Sequence, residues 1–274
     1  MVRINQNPAA FSAYRNLTAN TTLTNRTLER LSSGQQINRA TDDAAGLVRS
    51  ESLRTQVSST IQATQNAQDG VSFLQTAEGA LGEVQSMLQR MRVLAIDAAN
   101  TSSTTGQPQQ IEVQELIDEI EAIGARTTFG GTRVFQDFST APLVFQIGTG
   151  SAPGDRLEIS DDLRTDPGVF AGGVLSTLDL VNDPDAAIAA LDSALDQTSA
   201  IRGTLGAKTG RLEHAIDNLL VARENLSASE SRIRDADIAL EMVTLTSAQI
   251  LSKSAISMLG QANTTPQAVL ELLN

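Results

Sequence analysis

The longest regular pattern in the chain is an apolar repeat that alternates steps of three and four residues. This spacing is the heptad seam of paired α-helices. With Asp42 or Asp43 as its N-terminal cap, the pattern predicts one helix over about residues 44–99, about 80 Å long at 1.5 Å per residue. A helix of that length predicts a rod. The seam consists of Leu74, Ala77, Leu81, Val84, Leu88, Met91, Ala95 and Ala98.

Two further helices follow the same spacing. One is predicted to start near Pro108, after a polar loop over residues 100–106, because proline is preferred in the first helical turn. The other is predicted to start at Asn182-Asp183-Pro184, a cap followed by proline. Their seams are Val113, Leu116, Ile120 and Ile123 for the first, and Leu191, Leu195, Thr198, Arg202, Leu205, Thr209, Leu212, Ile216, Leu219, Arg223 and Leu226 for the second.

Both chain ends carry amphipathic helical patterns. The N-terminal pattern comprises Ile4, Phe11, Tyr14, Leu17, Leu23, Leu28, Leu31 and Ile37, and the C-terminal seam comprises Ile238, Met242, Leu245, Gln249, Ser252, Ile256 and Leu259. We expect residues 263–266 to interrupt the second helix before an apolar tail of Val269, Leu270, Leu272 and Leu273.

The two terminal helices can pair, yet apolar residues remain off the C-terminal seam. These are Leu240, Val243, Ile250, Leu251 and Met258. We therefore expect the ends to be disordered in the free chain and to fold when copies associate. The candidate polymerisation seams are Leu17, Leu28, Leu31, Ile238, Met242, Leu245, Ile256 and Leu259.

The middle of the chain is predicted to form β-structure. Residues 143–147 and 156–159 flank a Gly/Pro loop and predict a hairpin; Val134-Phe135 and Val169-Phe170 are candidate short strands. The predicted fold is mainly α: an elongated antiparallel coiled-coil or helical-bundle rod built from both chain ends, with a small β-hairpin region. The predicted domains are a terminal coiled coil (1–42 and 235–274), a helical rod (43–130 and 183–234) and the hairpin region (131–182).

One turn of the long helix departs from its seam. Val93 and Ile96 fall on the opposite face, Leu94 flanks the seam, and Arg90 and Arg92 lie among them. Two interpretations stay open: a satellite contact with a neighbouring helix of the same chain, or a contact with another molecule. Glycines inside a helix cost up to about 1 kcal/mol relative to alanine, so Gly70, Gly79 and Gly82 indicate places where another backbone approaches closely.

Composition excludes several kinds of chemistry. Among 274 residues there is no cysteine and one histidine, His214, and the net charge is −12. We therefore expect no enzyme activity, no disulfide, no metal or other cofactor and no nucleic-acid binding. No apolar run approaches the length of about 20 residues that spans a bilayer. The first residues contain no continuous apolar stretch of signal-peptide length, so we expect no signal peptide there. Residues 148–154 are interpreted as a hairpin turn, since they lack phosphate-loop spacing.

Several short motifs stand near the two ends of the chain. Near the N-terminus they are ERLSSG (29–34), IN (37–38), DDAAG (42–46), QDG (68–70), TAEGAL (76–81) and QRMRVLA (89–95). Near the C-terminus they are SRIRDAD (231–237), QAN (261–263) and PQ (266–267). These motifs and their order resemble those of bacterial flagellins, and the resemblance covers essentially the whole chain.

This resemblance implies a subunit of the flagellar filament, secreted unfolded through a type III channel and extracellular in the bacterial flagellum. Its termini would form an inner tube and its long helices an outer tube, without a large surface domain. The implied partners are other copies of the chain, an export chaperone, and cap and junction proteins.

The resemblance also implies a contact with a host Toll-like receptor that senses flagellin. The family's receptor-contacting residues match Arg90, Leu94 and, allowing a short gap, Glu112. The candidate contacts with the receptor or between subunits are Gln89, Arg90, Val93, Leu94 and Glu112. Val93 departs from the family pattern, where an acidic residue is usual. Two alternative functions stay open: a hook–filament junction protein, and a secreted coiled-coil protein that binds other proteins without polymerising.

Overall fold

The computed structural model describes residues 6–100, 106–164 and 170–271. The chain divides into two compact units. The terminal unit comprises Met1–Val57 and Glu224–Asn274, and the central unit comprises Ser58–Arg223. Several sequence predictions lie outside the described residues: those on Ile4, residues 101–105, Val169, Leu272 and Leu273, and the side chains of Val269 and Leu270.

The structure is mainly helical, as predicted. The helices are α1 (Pro8–Ser33), α2 (Ala44–Ala98), α3 (Gln107–Arg126), α4 (Pro184–Arg234) and α5 (Ile238–Glu271). Two antiparallel pairs of short strands lie between α3 and α4: β1 (Thr128–Phe129) with β2 (Thr132–Arg133), and β3 (Leu143–Gln146) with β4 (Arg156–Ile159). The predicted hairpin is confirmed in β3 and β4. Short 3₁₀ helices cover Pro153–Asp155 and Phe170–Thr177.

The long helices begin where acidic caps satisfy their free amide groups. The Asp43 carboxylate accepts a hydrogen bond from the Gly46 amide at 2.9 Å, and that of Asp183 accepts one from the Ala186 amide at 3.0 Å. Each bond satisfies an N–H group that has no partner within its own first turn. The predicted starts of α2 and α4 are therefore confirmed.

In the terminal unit, α1 and α5 pack against each other in antiparallel orientation. The start of α1 bonds to the end of α5 through Asn7 and Ala262, and its last turns bond to the start of α5 through Arg30 and Glu241. The buried or half-buried face of α5 follows an unbroken heptad spacing and consists of Glu241, Leu245, Ala248, Ser252, Ala255, Leu259 and Ala262.

That face corrects the seam predicted for α5. Leu245, Ser252 and Leu259 belong to it, but Ile238, Met242, Gln249 and Ile256 are exposed. The predicted interruption at residues 263–266 is also wrong, because α5 continues through them to Glu271.

The turns at the ends of the long helices are tied together within the terminal unit. Gly34 ends α1 with a left-handed φ of 71°, a conformation that suits glycine. Its carbonyl accepts the Ala236 amide at 2.9 Å, and the Gln36 amide donates to the Arg234 carbonyl at 2.6 Å. Beside these bonds, Ile37 is fully buried.

The core of the central unit confirms the predicted seam of α2. Its residues from Leu74 to Ala95 are all buried, and Ala98 is half-buried. One cluster joins Leu88 and Met91 to Val113 and Ile120 of α3 and to Leu191 of α4.

A second cluster of the central unit gathers phenylalanines around Phe73. The rings of Phe129, Phe138 and Phe145 lie 5.9–6.2 Å from that of Phe73. Contacts of this kind add to the stabilisation from burial. Among the described residues, a core rich in alanine and leucine thus has an aromatic cluster where the strands meet α2.

Two predictions for the central unit are wrong. Val134 and Phe135 are buried core residues that follow β2, not a strand, and Phe170 starts a 3₁₀ helix. The close approach of another backbone to the α2 glycines stays a prediction for contacts between copies. Within the described residues, a Cβ atom at Gly70 would touch the side chains of Leu212 and Phe145, and one at Gly79 or Gly82 would have open space.

Candidate assembly surfaces

The residues of α2 and α3 that are candidate contacts with a receptor or another subunit are partly exposed. The Arg90 guanidinium donates to the Glu112 carboxylate with an Nε–Oε1 distance of 2.7 Å, and both side chains are accessible. This hydrogen bond raises the pKa of Arg90, so its guanidinium group stays positively charged. Gln89 is exposed beside it. These side chains are therefore available to a partner.

Val93 and Ile96 are exposed on the same stretch of α2, with 57% of the surface of Val93 accessible. Ile96 is 48% accessible. This exposure favours the interpretation as a contact with another molecule over a satellite contact with a neighbouring helix of the same chain.

Leu94 differs from the rest of the set. Only 6% of its surface is exposed, and it belongs to the buried cluster around Met91 and Val113. Its inclusion as a contact residue is corrected: in this structure Leu94 supports the fold and does not face a partner.

Behind this surface, Arg92 joins α2 to α4. Its Nε atom lies 2.5 Å from Oδ1 of Asp192, and a second nitrogen lies 3.4 Å from Oδ2. The hydrogen bond from Arg92 holds the pKa of Asp192 below its ordinary value. Arg92 therefore links two helices of the central unit, and its partner Asp192 is about as accessible as Glu112, the partner of Arg90.

The terminal unit exposes more large apolar side chains than it buries. Among its described residues, the buried apolar ones are Ile37, Leu245, Ala248 and Ala255. The exposed large ones are Phe11, Tyr14, Leu23, Leu28, Val48, Ile238, Leu240, Met242, Val243, Ile250, Leu251, Ile256 and Met258. A monomeric soluble domain rarely shows such a surface.

The candidate polymerisation residues divide between the inside and the outside of this unit. Leu17, Leu31, Leu245 and Leu259 are buried or half-buried in the terminal unit; Leu28, Ile238, Met242 and Ile256 are exposed. The exposed group is available to other copies.

Two hollows flank the contact between α1 and α5. The larger, here called the small-residue groove, has a volume of about 700 Å³ and is lined by Ala9, Ser12, Ala13, Asn16, Ala19, Asn20, Leu251, Ser254, Ala255, Met258, Gln261 and Ala262. The other, of about 430 Å³, is lined by Asn7, Ala10, Phe11, Tyr14, Leu259 and Asn263.

The pair formed by Arg30 and Glu241 was missed by sequence reasoning. Glu241 is only 9% exposed, and its Oε1 atom lies 3.0 Å from a guanidinium nitrogen of Arg30. A buried carboxylate requires such a partner, because removing a charge from water is costly. The sequence contained a signal for this burial: Glu241 lies four residues before Leu245, which is the heptad spacing that places both on one face of α5.

The described residues contain neither a membrane-spanning helix nor a cluster of metal ligands. No helix there is both long and apolar enough to cross a lipid bilayer. In the same residues, no three acidic or imidazole side chains come together as metal ligands would.

Comparisons with known proteins identify the family. Residues 4–140 match the family model of the bacterial flagellin N-terminal helical region, and residues 188–273 match that of the C-terminal helical region. The flagellin of Bacillus subtilis is 41% identical, with 99% of this chain and 100% of that protein covered. The flagellin of Halalkalibacterium halodurans is 44% identical, with 98% and 99% covered.

A third relative is named for the structure it forms. The flagellar filament 33 kDa core protein of Treponema phagedenis is 40% identical, with 98% of this chain and 99% of that protein covered. The resemblance predicted from the terminal motifs is confirmed: the chain belongs to the bacterial flagellin family of flagellar structural proteins.

Proposed function

We propose that this chain is the repeating subunit of a flagellar filament that drives swimming, and that its terminal unit makes the polymerising contacts. One observation carries the proposal: among the described residues of the terminal unit, few large apolar side chains are buried and many are exposed. Fully burying one such side chain stabilises a structure by about 1.5–3 kcal/mol. Association with other copies is the way to bury this surface in a family of flagellar structural proteins.

The same imbalance supports folding of the chain ends upon assembly. Ile37 and Leu245 are the only large apolar side chains among the buried described residues of the terminal unit. Segments with little buried apolar surface open at low free-energy cost. The helices α1 and α5 would therefore fray in the free chain and become ordered when neighbouring copies cover them.

We assign the parts of the filament accordingly. Residues 1–42 and 235–274 would form the inner tube, residues 43–130 and 183–234 the outer tube, and residues 131–182 a small hairpin region. A chain without cysteine and with weakly stabilised ends suits export in an unfolded state. An export chaperone and the cap and junction proteins are its proposed partners on that route, which ends outside the cell.

Seeded growth of the purified full-length chain tests this proposal. We expect short filament fragments to elongate into fibres, as measured by sedimentation and negative-stain microscopy, with loss of free chain. A junction protein would bind to fragment ends without elongating them, and a non-polymerising coiled-coil protein would leave the fragments unchanged. Either of those results would contradict the proposal.

Recognition by a host Toll-like receptor is a separate proposal, supported by the exposure of Arg90 and Val93 and the partial exposure of Glu112. Reporter cells that carry the receptor should respond to the purified chain. The response should fall at least tenfold for Arg90→Ala and stay unchanged for Arg126→Ala, an exposed arginine that also pairs with a glutamate. Equal responses to both variants would contradict this role of Arg90.

A further inference from the structure

The two flanks of the α1–α5 pair differ in the size of their side chains. On one flank, the small-residue groove is lined by residues such as Ala9, Ala13 and Ser254, with a volume of about 700 Å³. Cavities of about 300–1,000 Å³ hold drug-sized groups. The groove is therefore large enough to receive bulky side chains.

The other flank carries the largest exposed side chains of α1. Phe11 is 67% exposed and Tyr14 is 60% exposed, and we call these two residues the aromatic edge. Each residue of an α-helix turns by about 100°. Phe11 and Tyr14 therefore point away from Ala9 and Ala13 on the same helix. Groove and edge lie on opposite sides of one helix pair.

We propose that the aromatic edge of one copy inserts into the small-residue groove of a neighbouring copy. This inference rests on the proposed function, and it names the surfaces through which copies meet. Because groove and edge lie on different sides of the same unit, every copy offers one of each. Such a heterologous contact continues from copy to copy and need not close into a dimer.

The chemistry of the groove fits both side chains. Its walls include the alanines and the apolar side chains of Leu251 and Met258, which suit the ring of Phe11. A buried tyrosine hydroxyl needs a hydrogen-bond partner. The amide side chains of Asn16 and Asn20, which also line the groove, can bond to the hydroxyl of Tyr14.

Because the chain has no cysteine, crosslinking can test the contact directly. Full-length Tyr14→Cys and Ser254→Cys chains are mixed in equal amounts, grown from seeds and treated with a short bis-maleimide. We expect a crosslinked dimer on denaturing gels in at least tenfold greater amount than with either variant alone. The matched control replaces Ser254→Cys by Ser257→Cys, an exposed serine on α5 that does not line the groove.

Each outcome bears on the inference. A dimer formed mainly by Tyr14→Cys alone would mean that aromatic edges meet each other, and would overturn it. Equal crosslinking with Ser254→Cys and Ser257→Cys would also overturn the inference, and so would an absence of crosslinks in well-formed fibres. Either result would leave the proposed function intact. Failure of the unmodified chain to form fibres would instead overturn the proposed function.

Discussion

Asn7 and Ala262 are joined by a hydrogen bond that compensates for a proline in α5. The Asn7 Nδ2 atom donates to the Ala262 carbonyl at 2.7 Å, while its Oδ1 atom accepts the Ala10 amide at 3.1 Å. Pro266 lies four residues after Ala262 and has no N–H group, so that carbonyl lacks its usual helical donor. The Asn7 side chain thus caps α1 and also supplies the hydrogen-bond donor that the Ala262 carbonyl of α5 lacks.

The substitution Asn7→Asp separates these two roles. Aspartate caps a helix as well as asparagine does, but it cannot donate to the Ala262 carbonyl. Because this hydrogen bond is only half-buried, we expect the free energy of opening of α1 and α5 to fall by about 0.5–1.5 kcal/mol, the net contribution of one hydrogen bond. Hydrogen exchange of assembled filaments measures this change.

A second substitution supplies the control. Pro266→Ala restores an N–H group for the Ala262 carbonyl, so Asn7→Asp should cost much less in that background. If Asn7→Asp has the same effect with and without Pro266, the hydrogen bond does not compensate for the proline.

Arg30→Gln should weaken the terminal unit through Glu241. The substitution removes the positive charge 3.0 Å from a carboxylate that is almost fully buried. Because Arg30 is itself partly exposed, we expect a loss of about 1–3 kcal/mol, below the value for a fully buried pair. Protection of the α5 amides in filaments, measured by hydrogen exchange, should decrease accordingly.

The matched control is Arg15→Gln, on the same helix. Arg15 is exposed and donates only a long 3.4 Å hydrogen bond to Ser12, so its replacement should change amide protection by less than about 0.5 kcal/mol. Equal effects of the two variants would show that net charge, and not the pairing with Glu241, is responsible.

The seam of α2 should control the stability of the central unit. Leu88 is fully buried between α3 and α4, and Leu88→Ala should destabilise the unit by about 2–5 kcal/mol. Its exposed neighbour provides the comparison, since Gln89→Ala should change the stability by less than about 0.5 kcal/mol. Thermal unfolding followed by circular dichroism distinguishes them, and similar midpoints would contradict the assignment of the core.

The seam of α2 could be predicted because polar residues surround it. Only one face of that helix repeats as apolar, so the heptad from Leu74 to Ala95 has a single interpretation. The seam of α5 could not be predicted in the same way. Apolar residues occur around the whole helix, and the larger side chains of Ile238, Met242 and Ile256 are exposed.

The remaining errors have a common physical origin, because local signals were overridden by distant contacts. Pro266 predicted the end of a helix, but Asn7, distant in sequence, bonds to the carbonyl that the proline leaves without a partner. Val134 and Phe135 have strand propensity, yet they pack in the core of the central unit. Tertiary contacts of this kind override propensity.

Acid should destabilise the central unit through carboxylates that bond to arginine. Hydrogen bonds from Arg164, at 2.7–3.2 Å, hold the pKa of Asp162 below its ordinary value of 3.8. The unfolded chain therefore takes up a proton at Asp162 more readily than the folded chain does. The stabilisation is present above about pH 4 and is lost as the pH falls through the lower pKa of the folded state.

Urea unfolding at pH 5 and pH 3 tests this with Asp162→Asn. The variant should be less stable than the unmodified chain at pH 5, but it should lose less stability between the two pH values because the amide does not titrate. Asp196→Asn removes an exposed carboxylate of α4 and should keep the full pH dependence. If Asp162→Asn also keeps the full pH dependence, the acid sensitivity arises at other carboxylates. Asp137 and Asp192 are the next candidates, because hydrogen bonds lower the pKa of each.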